Sequence, residues 1–282
     1  MDEYRLEQER IERILAKRIF FIIGLTRSGT GWLQQAIDAH SQVRCEGEGH
    51  FTDVLYPMMG RMLSGYNGLT RRAKERLQAS GGRGRTVDLT YGDLQHLLTT
   101  AMGLVLIRWA GDGDFTCIGE KTPEHVHAPE LLDRLVPGAR FVHVIRDGRD
   151  EAVSIWEFNK RAGGENFANK FPEFAAFAEA FAANWSAGVG KAHAFGRANR
   201  DRYLEIRSED LLDEPLPAVL DLIQFLGLDE SEAEVARCVE AGMDGAVADA
   251  GAGQWRQHFD AKALGLFNRN AGELLKLLEY ED

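Results

Sequence analysis

The sequence predicts an α/β fold, a parallel sheet flanked by helices on both faces. Short apolar runs alternate with helical stretches along the chain, which is typical of such a sheet. Two of these runs pass through a turn rich in glycine or arginine directly into a helical pattern. No tandem repeat, low-complexity tract or linker divides the 282 residues, so we expect one domain over 1–282 with a sizeable core.

Four segments are predicted strands because each is short, apolar or mixed, and separated from the next by helical stretches. They are Ile19–Ile23, Phe115–Gly119, Phe141–Ile145 and Tyr203–Arg207. Open α/β sheets bind ligands beyond the carboxyl ends of their strands, so the loops after these segments are candidate functional loops.

The remaining segments are predicted to be mainly helical. Residues 1–18 are rich in charge and suit a surface helix, which also offers a homodimer contact. The helical spacing of aromatic residues over 174–185 predicts a core helix, and 215–228 predicts an amphipathic one. Residues 162–172 are predicted to be either a lid or a plain surface loop.

The first apolar run leads into a loop that suits an anion. Phe20–Trp32 reads FFIIGLTRSGTGW: a strand pattern, a glycine-rich loop and a helix. The backbone N–H groups and positive end of that helix would face an anion, with added charge from Arg27 and hydroxyl groups from Ser28 and Thr30. The segment therefore predicts a phosphate- or sulfate-binding loop. The alternative is a helix N-cap with turn glycines.

This loop differs from the P-loop of nucleoside triphosphatases. Gly24 and Gly29 have the required spacing, but Thr30-Gly31 follow where the P-loop has Lys and then Ser or Thr. The cation stands before the second glycine, at Arg27.

A second strand–turn–helix pattern covers Arg140–Trp156, RFVHVIRDGRDEAVSIW. Arg146 ends the strand, and Ser154 lies two helical turns further on. The two side chains can converge on one phosphate, giving charge and a hydroxyl hydrogen bond. The alternative is a surface salt-bridge cluster within Arg146–Asp150.

Together, the two motifs resemble the family of PAPS-dependent sulfotransferases, whose donor is 3′-phosphoadenosine 5′-phosphosulfate. Arg27–Trp32 resembles the 5′-phosphosulfate loop and Arg146–Ser154 the 3′-phosphate motif. Four further pieces are similar to family segments and occur in the same order, the first of them to protein-tyrosine sulfotransferases: Asp38–Glu48, Gly119–Pro123, Arg207–Leu212 and Gly253–Arg256.

The resemblance implies the P-loop-like sulfotransferase architecture and transfer of a sulfuryl group from PAPS, with PAP as the product. The acceptor is a hydroxyl group of a small molecule, a sugar or a tyrosyl residue. Residues 52–110 correspond to the variable, helical acceptor-binding region of the family. Their methionines Met58, Met59 and Met62 are predicted to fill the core.

Donor-binding residues follow from the same resemblance. Arg27 would stabilise charge on the bridging oxygen as the 5′-phosphate leaves. Trp32 would stack on adenine, although a core aromatic at a helix start is the alternative. The remaining predicted donor contacts are Ser28, Gly29, Thr30, Gly31, Arg146, Ser154, Arg207, Trp255 and Arg256.

The acceptor hydroxyl needs a general base, for which Glu48 is the first candidate. Glu48 has the offset from the phosphosulfate loop that the base has in tyrosine sulfotransferases, while Glu46 and His50 are rivals. Lys121 would stabilise the transferring sulfuryl oxygens. His125 and His127 alternate, which would place both on one face of an extended segment lining an acceptor pocket. No metal site is expected, because ligand spacing is lacking.

Two departures from the family pattern concern the donor. Where many members have Arg-Lys-Gly before the last motif, this chain has Ala248, Asp249 and Ala250, so one 3′-phosphate contact is lost. Arg207 or Arg256 is predicted to compensate. Ser208 replaces a tyrosine that often contacts adenine.

Composition limits the partners. The net charge of −11 argues against nucleic acid and anionic membranes, without excluding a local basic cleft. Three cysteines without zinc spacing suit a reduced, cytoplasmic location, as does the lack of a signal or membrane-spanning segment. Two other functions stay open: a non-catalytic adenine-nucleotide-binding module, and a P-loop-like small-molecule kinase.

Overall fold

The computed structural model describes residues 3–111, 113–162, 164–244 and 251–280. Within these residues, five parallel strands form one sheet in the order β2-β3-β1-β4-β5. The strands are β1 Arg18–Ile23, β2 Val43–Gly47, β3 Cys117–Lys121, β4 Arg140–Ile145 and β5 Tyr203–Arg207.

All four predicted strands are present, although one of them is displaced. The sheet also contains a fifth strand that the sequence analysis missed. The strand predicted over Phe115–Gly119 begins two residues later, as β3. The sequence analysis missed β2, which lies at the sheet edge and carries charged residues at its second and fourth positions. Since only Val43 and Cys45 of β2 are buried, the segment lacks the continuous apolar run of the inner strands.

Helices flank the sheet on both faces, as predicted. They are α1 Glu3–Leu15, α2 Thr30–Asp38, α3 Tyr56–Ala79, α4 Tyr91–Ala110, α5 Pro129–Leu135, α6 Gly148–Ala162, α7 Gly164–Lys170, α8 Phe174–Ala198, α9 Ser208–Asp213, α10 Pro215–Leu226, α11 Glu232–Asp244, α12 Trp255–His258 and α13 Ala261–Leu277. A π-helical turn, Phe51–Leu55, precedes α3, and 3₁₀ turns cover Pro123–His127 and Arg200–Arg202. None of the described helices has the length and apolar character needed to span a membrane.

The alternation of side chains along β1 divides the core into two clusters. Phe21 and Ile23 pack with apolar residues of α4, α5, α8 and α13. Phe20 and Ile22 face the other side and pack with residues of α2, α10 and α11. Because successive side chains of a strand point to opposite faces, one continuous apolar strand supplies both layers. The core helix predicted over 174–185 is confirmed within α8.

Two local predictions need correction. The plain surface loop, one of two alternatives over 162–172, is wrong because the segment contains the short helix α7; the lid stays a prediction. Met58 and Met62 were predicted to fill the core, but both side chains are more than half exposed, and Leu63 is the buried residue of α3. Their shared face of α3 points away from both clusters.

The buried His143 is expected to make the protein less stable in acid, because its ring accepts a proton in the unfolded chain and not in the folded one. Burial, followed by the charge of His193, lowers the pKa of His143 to about 3. The unfolded chain therefore binds a proton below about pH 6.5 that the folded state does not. Between pH 7 and pH 5, this residue should lower the free energy of unfolding by about 2 kcal/mol.

Urea unfolding at several pH values tests this expectation. His143→Gln, which keeps an acceptor for the Tyr203 hydroxyl group 2.7 Å away, should show a smaller loss between the two pH values. The exposed His96→Gln is the matched control and should behave like the wild type. If the free energy of unfolding falls equally in the wild type and in His143→Gln, His143 is not the source of the acid sensitivity.

Candidate active site

The loop after β1 turns sharply into α2. Gly24 has a φ of 153° and Gly29 a φ of 102°, backbone conformations that favour glycine. A Cβ on Gly24 would lie 2.5 Å from the carbonyl oxygen of Val144, so the loop passes directly against β4. This close approach requires the small residue that the sequence provides.

The N-terminus of α2 faces an open space. The first intrahelical hydrogen bond runs from the Leu33 N–H group to the Gly29 carbonyl oxygen, at 3.1 Å. The amides of Thr30, Gly31 and Trp32 precede it and lie at the positive end of the helix. A Cβ on Gly31 would have no atom within 4 Å. These amides can therefore donate to an anion in the space beside them.

Arg27 joins the two strand–turn–helix motifs. Its backbone has a φ of 75°, which is rare outside glycine. Its Nε donates to Ser154 Oγ at 3.0 Å, and its carbonyl oxygen accepts from Arg146 Nη1 at 3.1 Å. The structure thus brings Arg146 and Ser154 together around Arg27, and their binding of a phosphate stays a prediction.

Glu48 and Lys121 meet at the ends of β2 and β3. Gly47 pairs with Lys121 in the sheet, and the Lys121 ammonium donates to Glu48 Oε1 at 2.5 Å. The rival base Glu46 is exposed within β2 and does not line the cavity beside α2. One carboxylate and one ammonium therefore face the same space as the loop amides.

A buried layer that the sequence analysis did not identify supports Glu48. Glu120 is fully buried and accepts from the Gly49 N–H group at 2.8 Å and from the Thr122 hydroxyl group. Thr122 Oγ1 accepts in turn from the His50 N–H group at 3.2 Å. These bonds fix the backbone directly after Glu48, while the pairing of Gly47 with Lys121 in the sheet fixes it directly before. The sequence did carry a signal for this layer, since Glu120 is a charged residue inside a mainly apolar strand.

These elements enclose a cavity of about 260 Å³. Of the predicted site residues, it is lined by Arg27, Gly29, Thr30, Gly31, Trp32, Glu48, Lys121 and Arg146. The sequence analysis did not predict as cavity contacts Thr26, Gln35, Pro123, Ser208, Leu211 and Leu212. Three cations, one carboxylate and a helix N-terminus thus converge with an apolar wall, an arrangement that can bind an anionic ligand with an apolar part.

Comparison with known proteins identifies the family to which this chain belongs. The family model described as the sulfotransferase family matches residues 20–232. The chain belongs to the sulfotransferase family. The matched residues include both motifs and the strand ends that carry Glu48 and Lys121.

Two groups of relatives resemble this sulfotransferase. Protein-tyrosine sulfotransferase 1 of Homo sapiens is 28% identical over 137 residues, 49% of this chain and 33% of that protein. Protein-tyrosine sulfotransferase 2 of Gallus gallus is 28% identical over 153 residues, 54% of this chain and 36% of that protein. The matched segments thus span about a third of the length of these relatives.

Solved structures confirm the sulfotransferase fold. Sulfotransferase STF9 from Mycobacterium avium has a TM-score of 0.61 at 12% identity, covering 97% of this chain and 80% of that one. Mouse sulfotransferase SULT7A1, solved in complex with PAP, has a TM-score of 0.51 at 14% identity, covering 93% and 89%.

Some predicted donor contacts of the sulfotransferase lie away from the cavity. Arg207 donates to the Leu278 carbonyl oxygen at 2.9 Å and lies 4.1 Å from the Tyr280 ring centroid. Trp255 is buried, and the guanidinium groups of Arg149 and Arg256 contact its ring at 3.9 and 4.5 Å. None of the three predicted residues Arg207, Trp255 and Arg256 lines the described cavity.

Trp32 and the second motif each show features of the two alternatives that the sequence left open. The Trp32 ring packs against Gly242 in the core, yet the residue also lines the cavity. Asp147 and Arg149 form the salt bridge that the alternative predicted, at 2.9 Å, but it is buried. Arg146 is left to face the cavity.

The prediction for the two histidines after Lys121 was wrong in its geometry. His125 and His127 lie in a 3₁₀ turn, where residues two apart point to different faces. His125 is fully buried, with Nδ1 2.7 Å from Thr52 Oγ1. His127 is half-buried, and burial lowers its pKa; the charge of Glu124 opposes this shift and the charge of Lys191 adds to it. Neither lines the described cavity.

The carboxylate of Asp150 holds the C-terminal turn of the sulfotransferase against α6. It accepts from the Gly253 and Trp255 N–H groups at 2.6 and 2.7 Å, and the Gly251 carbonyl oxygen accepts from Arg146 Nη2 at 3.5 Å. Burial raises the pKa of Asp150 despite these bonds. Residues Ala248, Asp249 and Ala250, predicted to weaken the 3′-phosphate contact, lie outside the described residues.

Asp150→Ala should release this turn. Removing the carboxylate leaves two backbone N–H groups without their acceptor, and we expect the free energy of unfolding to fall by about 1–3 kcal/mol. Urea unfolding measures the loss, and limited proteolysis should cut near 251–258 sooner. The exposed Asp221→Ala is the control. Unchanged stability and cleavage would show that Asp150 does not hold the turn.

Proposed function

We propose that this sulfotransferase transfers a sulfuryl group from PAPS to a hydroxyl group of a small-molecule, sugar or tyrosyl acceptor. The observation that carries the proposal is the convergence of Arg27, Lys121, Arg146 and the α2 amides with Glu48 on one cavity. Sulfuryl transfer resembles phosphoryl transfer, in which the protein mainly positions the reactants and stabilises charge. The cations supply the charge, and Glu48 supplies a proton acceptor.

The residues present suit this donor. Ser28 Oγ and Trp32 Nε1 are buried in the loop and α2 without a hydrogen-bond partner among the described residues, so donors are available there. Arg27 and the α2 amides would hold the 5′-phosphosulfate, and Arg146 with Ser154 the 3′-phosphate. PAP, which the mouse neighbour contains, is the expected product. When bound, PAPS supplies the sulfuryl group.

The chain's own residues would then act on charge and protons. Glu48 accepts the proton of the acceptor hydroxyl, which makes the oxygen a better nucleophile. Lys121 binds Glu48 in this structure and can instead face the sulfuryl oxygens, since its ammonium lies in the same cavity. Arg27 stabilises the charge of the leaving phosphate.

Further parts of the proposal concern acceptor binding, the cellular location, the oligomeric state and metal binding. The π-helical turn begins three residues after Glu48 and leads directly into α3, which supports a role of 52–110 in acceptor binding. The three cysteines are free and buried, which supports a cytoplasmic location. A homodimer and the absence of a metal remain parts of the proposal.

Calorimetric titration tests the donor site. PAP should bind with micromolar affinity and ADP much more weakly, because Arg146 pairs with the 3′-phosphate that ADP lacks. Arg146→Met should weaken PAP binding by about tenfold or more and change ADP binding little. Arg269→Met, which alters an exposed arginine outside the cavity and outside the predicted donor contacts, is the control.

The opposite ranking would reject the donor. Equal or tighter binding of ADP or of ATP with Mg²⁺ would favour a nucleotide-binding module or a kinase. PAP binding without ester formation, when labelled PAPS is offered with phenols, sugars and tyrosyl peptides, would favour the non-catalytic module.

Glu48→Gln tests the base. The amide cannot accept a full proton, so kcat should fall by about 10²–10⁴-fold while PAP affinity changes little. Glu46→Gln, a carboxylate of the same strand region outside the cavity, should retain kcat. If the two variants lose kcat equally, or Glu48→Gln stays active, Glu48 is not the base.

A further inference from the structure

A chain of side-chain contacts runs from Glu48, which lines the cavity, through His50 to Asp53. Glu48 Oε1 accepts from Lys121, and Glu48 Oε2 lies 3.4 Å from His50 Nε2. The other ring nitrogen, His50 Nδ1, lies 2.8 Å from Asp53 Oδ2. One imidazole therefore joins two carboxylates through its two nitrogens, and only one of those carboxylates faces the cavity.

We propose that His50, oriented by Asp53, takes from Glu48 the proton that Glu48 removes from the acceptor hydroxyl. The inference rests on the proposed function, in which Glu48 is the base. His50 is then a positioning residue that acts through Glu48 and does not itself touch the acceptor. The relay returns Glu48 to its ionised form for the next turnover.

The proton transfers balance. The acceptor O–H bond breaks as an O–H bond forms on Glu48, and the electron pair stays on the acceptor oxygen, which becomes the ester oxygen. The Glu48 O–H bond then breaks as an N–H bond forms at His50 Nε2. Throughout, His50 Nδ1–H stays hydrogen-bonded to Asp53. The imidazolium finally releases its proton to water.

The backbone holds His50 where this transfer requires it. Its N–H group donates to Thr122 Oγ1, and its carbonyl oxygen accepts from the Val54 and Leu55 N–H groups of the π-helical turn. Its φ of 48° is left-handed, a conformation that needs such support. The His50 side chain is 38% exposed, so the proton has a path to solvent.

The charges around His50 favour its acceptor role. Asp53 from the π-helical turn, Glu48 from the preceding loop and Glu124 from the 3₁₀ turn face it, and Lys121 reaches it through Glu48. Partial burial alone would lower the pKa of His50. The hydrogen bond and charge of Asp53, followed by the charges of Glu124 and Glu48, raise it overall. The imidazolium is therefore stabilised when it forms.

The same residues include a group with metal-ligand spacing. Ligand atoms of His50, Asp53 and Glu124 all lie within 4.8 Å of one another. The 2.8 Å contact between His50 and Asp53 already gives each of them a partner, which favours the relay. Metal binding at this group is accordingly an outcome that the experiment distinguishes.

The pH dependence of kcat tests the relay, with saturating PAPS and N-acetyltyrosinamide, whose phenol titrates near about pH 10. Because His50 must be neutral to accept, wild-type kcat should rise with pH through the raised His50 pKa. Asp53→Asn should move this limb about one pH unit lower, and Asp53→Glu should keep it. His50→Gln should remove the limb and lower the plateau about ten- to hundredfold.

A second measurement does not depend on turnover. In an NMR titration without PAPS, the His50 ring should titrate above about pH 6.5 in the wild type and lower in Asp53→Asn and Glu48→Gln. The matched control is His193→Gln, which removes another histidine–carboxylate pair, 2.7 Å from Glu205, outside the cavity. It should change neither the kcat profile nor the His50 titration.

Three results would overturn the relay. If the wild type binds no PAP and forms no ester, the proposed function itself fails. If the wild type is active but His50→Gln keeps both kcat and the acid limb, the relay alone fails. If Zn²⁺ or Mn²⁺ raises kcat, EDTA abolishes it and Glu124→Gln removes the response, the group is a metal site.

Discussion

The pairing of β1 with β3 on one side and β4 on the other is the constraint on which the site depends. Ile22 lies opposite Lys121, and Ile23 lies opposite His143, three residues before Arg146. Parallel strands end at the same edge of a sheet, so the loop after β1 emerges between the two cations. The cavity proposed to bind the anion is formed because hydrogen bonds in the sheet bring together segments that are distant in the sequence.

Local charge in the cavity opposes the charge of the whole chain. The protein carries a net charge of −11, yet among the described residues Arg27, Lys121 and Arg146 line one cavity with one carboxylate, Glu48. Salt screens exposed charges beyond about 8 Å, so the nearby cations dominate the field inside the cavity. An acidic surface is therefore compatible with binding a small polyanion, and it disfavours large ones such as nucleic acid.

A buried polar layer behind the cavity ties Glu48, the proposed base, to the sheet. Glu120 and Thr122 hold the two backbone amides that directly follow Glu48, and Asp53 contacts the ring of His50. Such a layer is costly to bury and is stable only when its groups satisfy one another. The side chain expected to do the chemistry is thus supported by residues that never reach the cavity.

The sequence by itself determined the fold class, the inner strands and the two strand–turn–helix motifs, because continuous apolar runs and glycine-rich turns are local signals. It missed β2, whose charged second and fourth positions interrupt such a run at the sheet edge. Only the tertiary structure decided that Arg207 turns to the C-terminal segment, that His125 is buried, and that Ser208 and Leu211 line the cavity. These outcomes depend on which distant segments pack together, and local spacing carries no information about that.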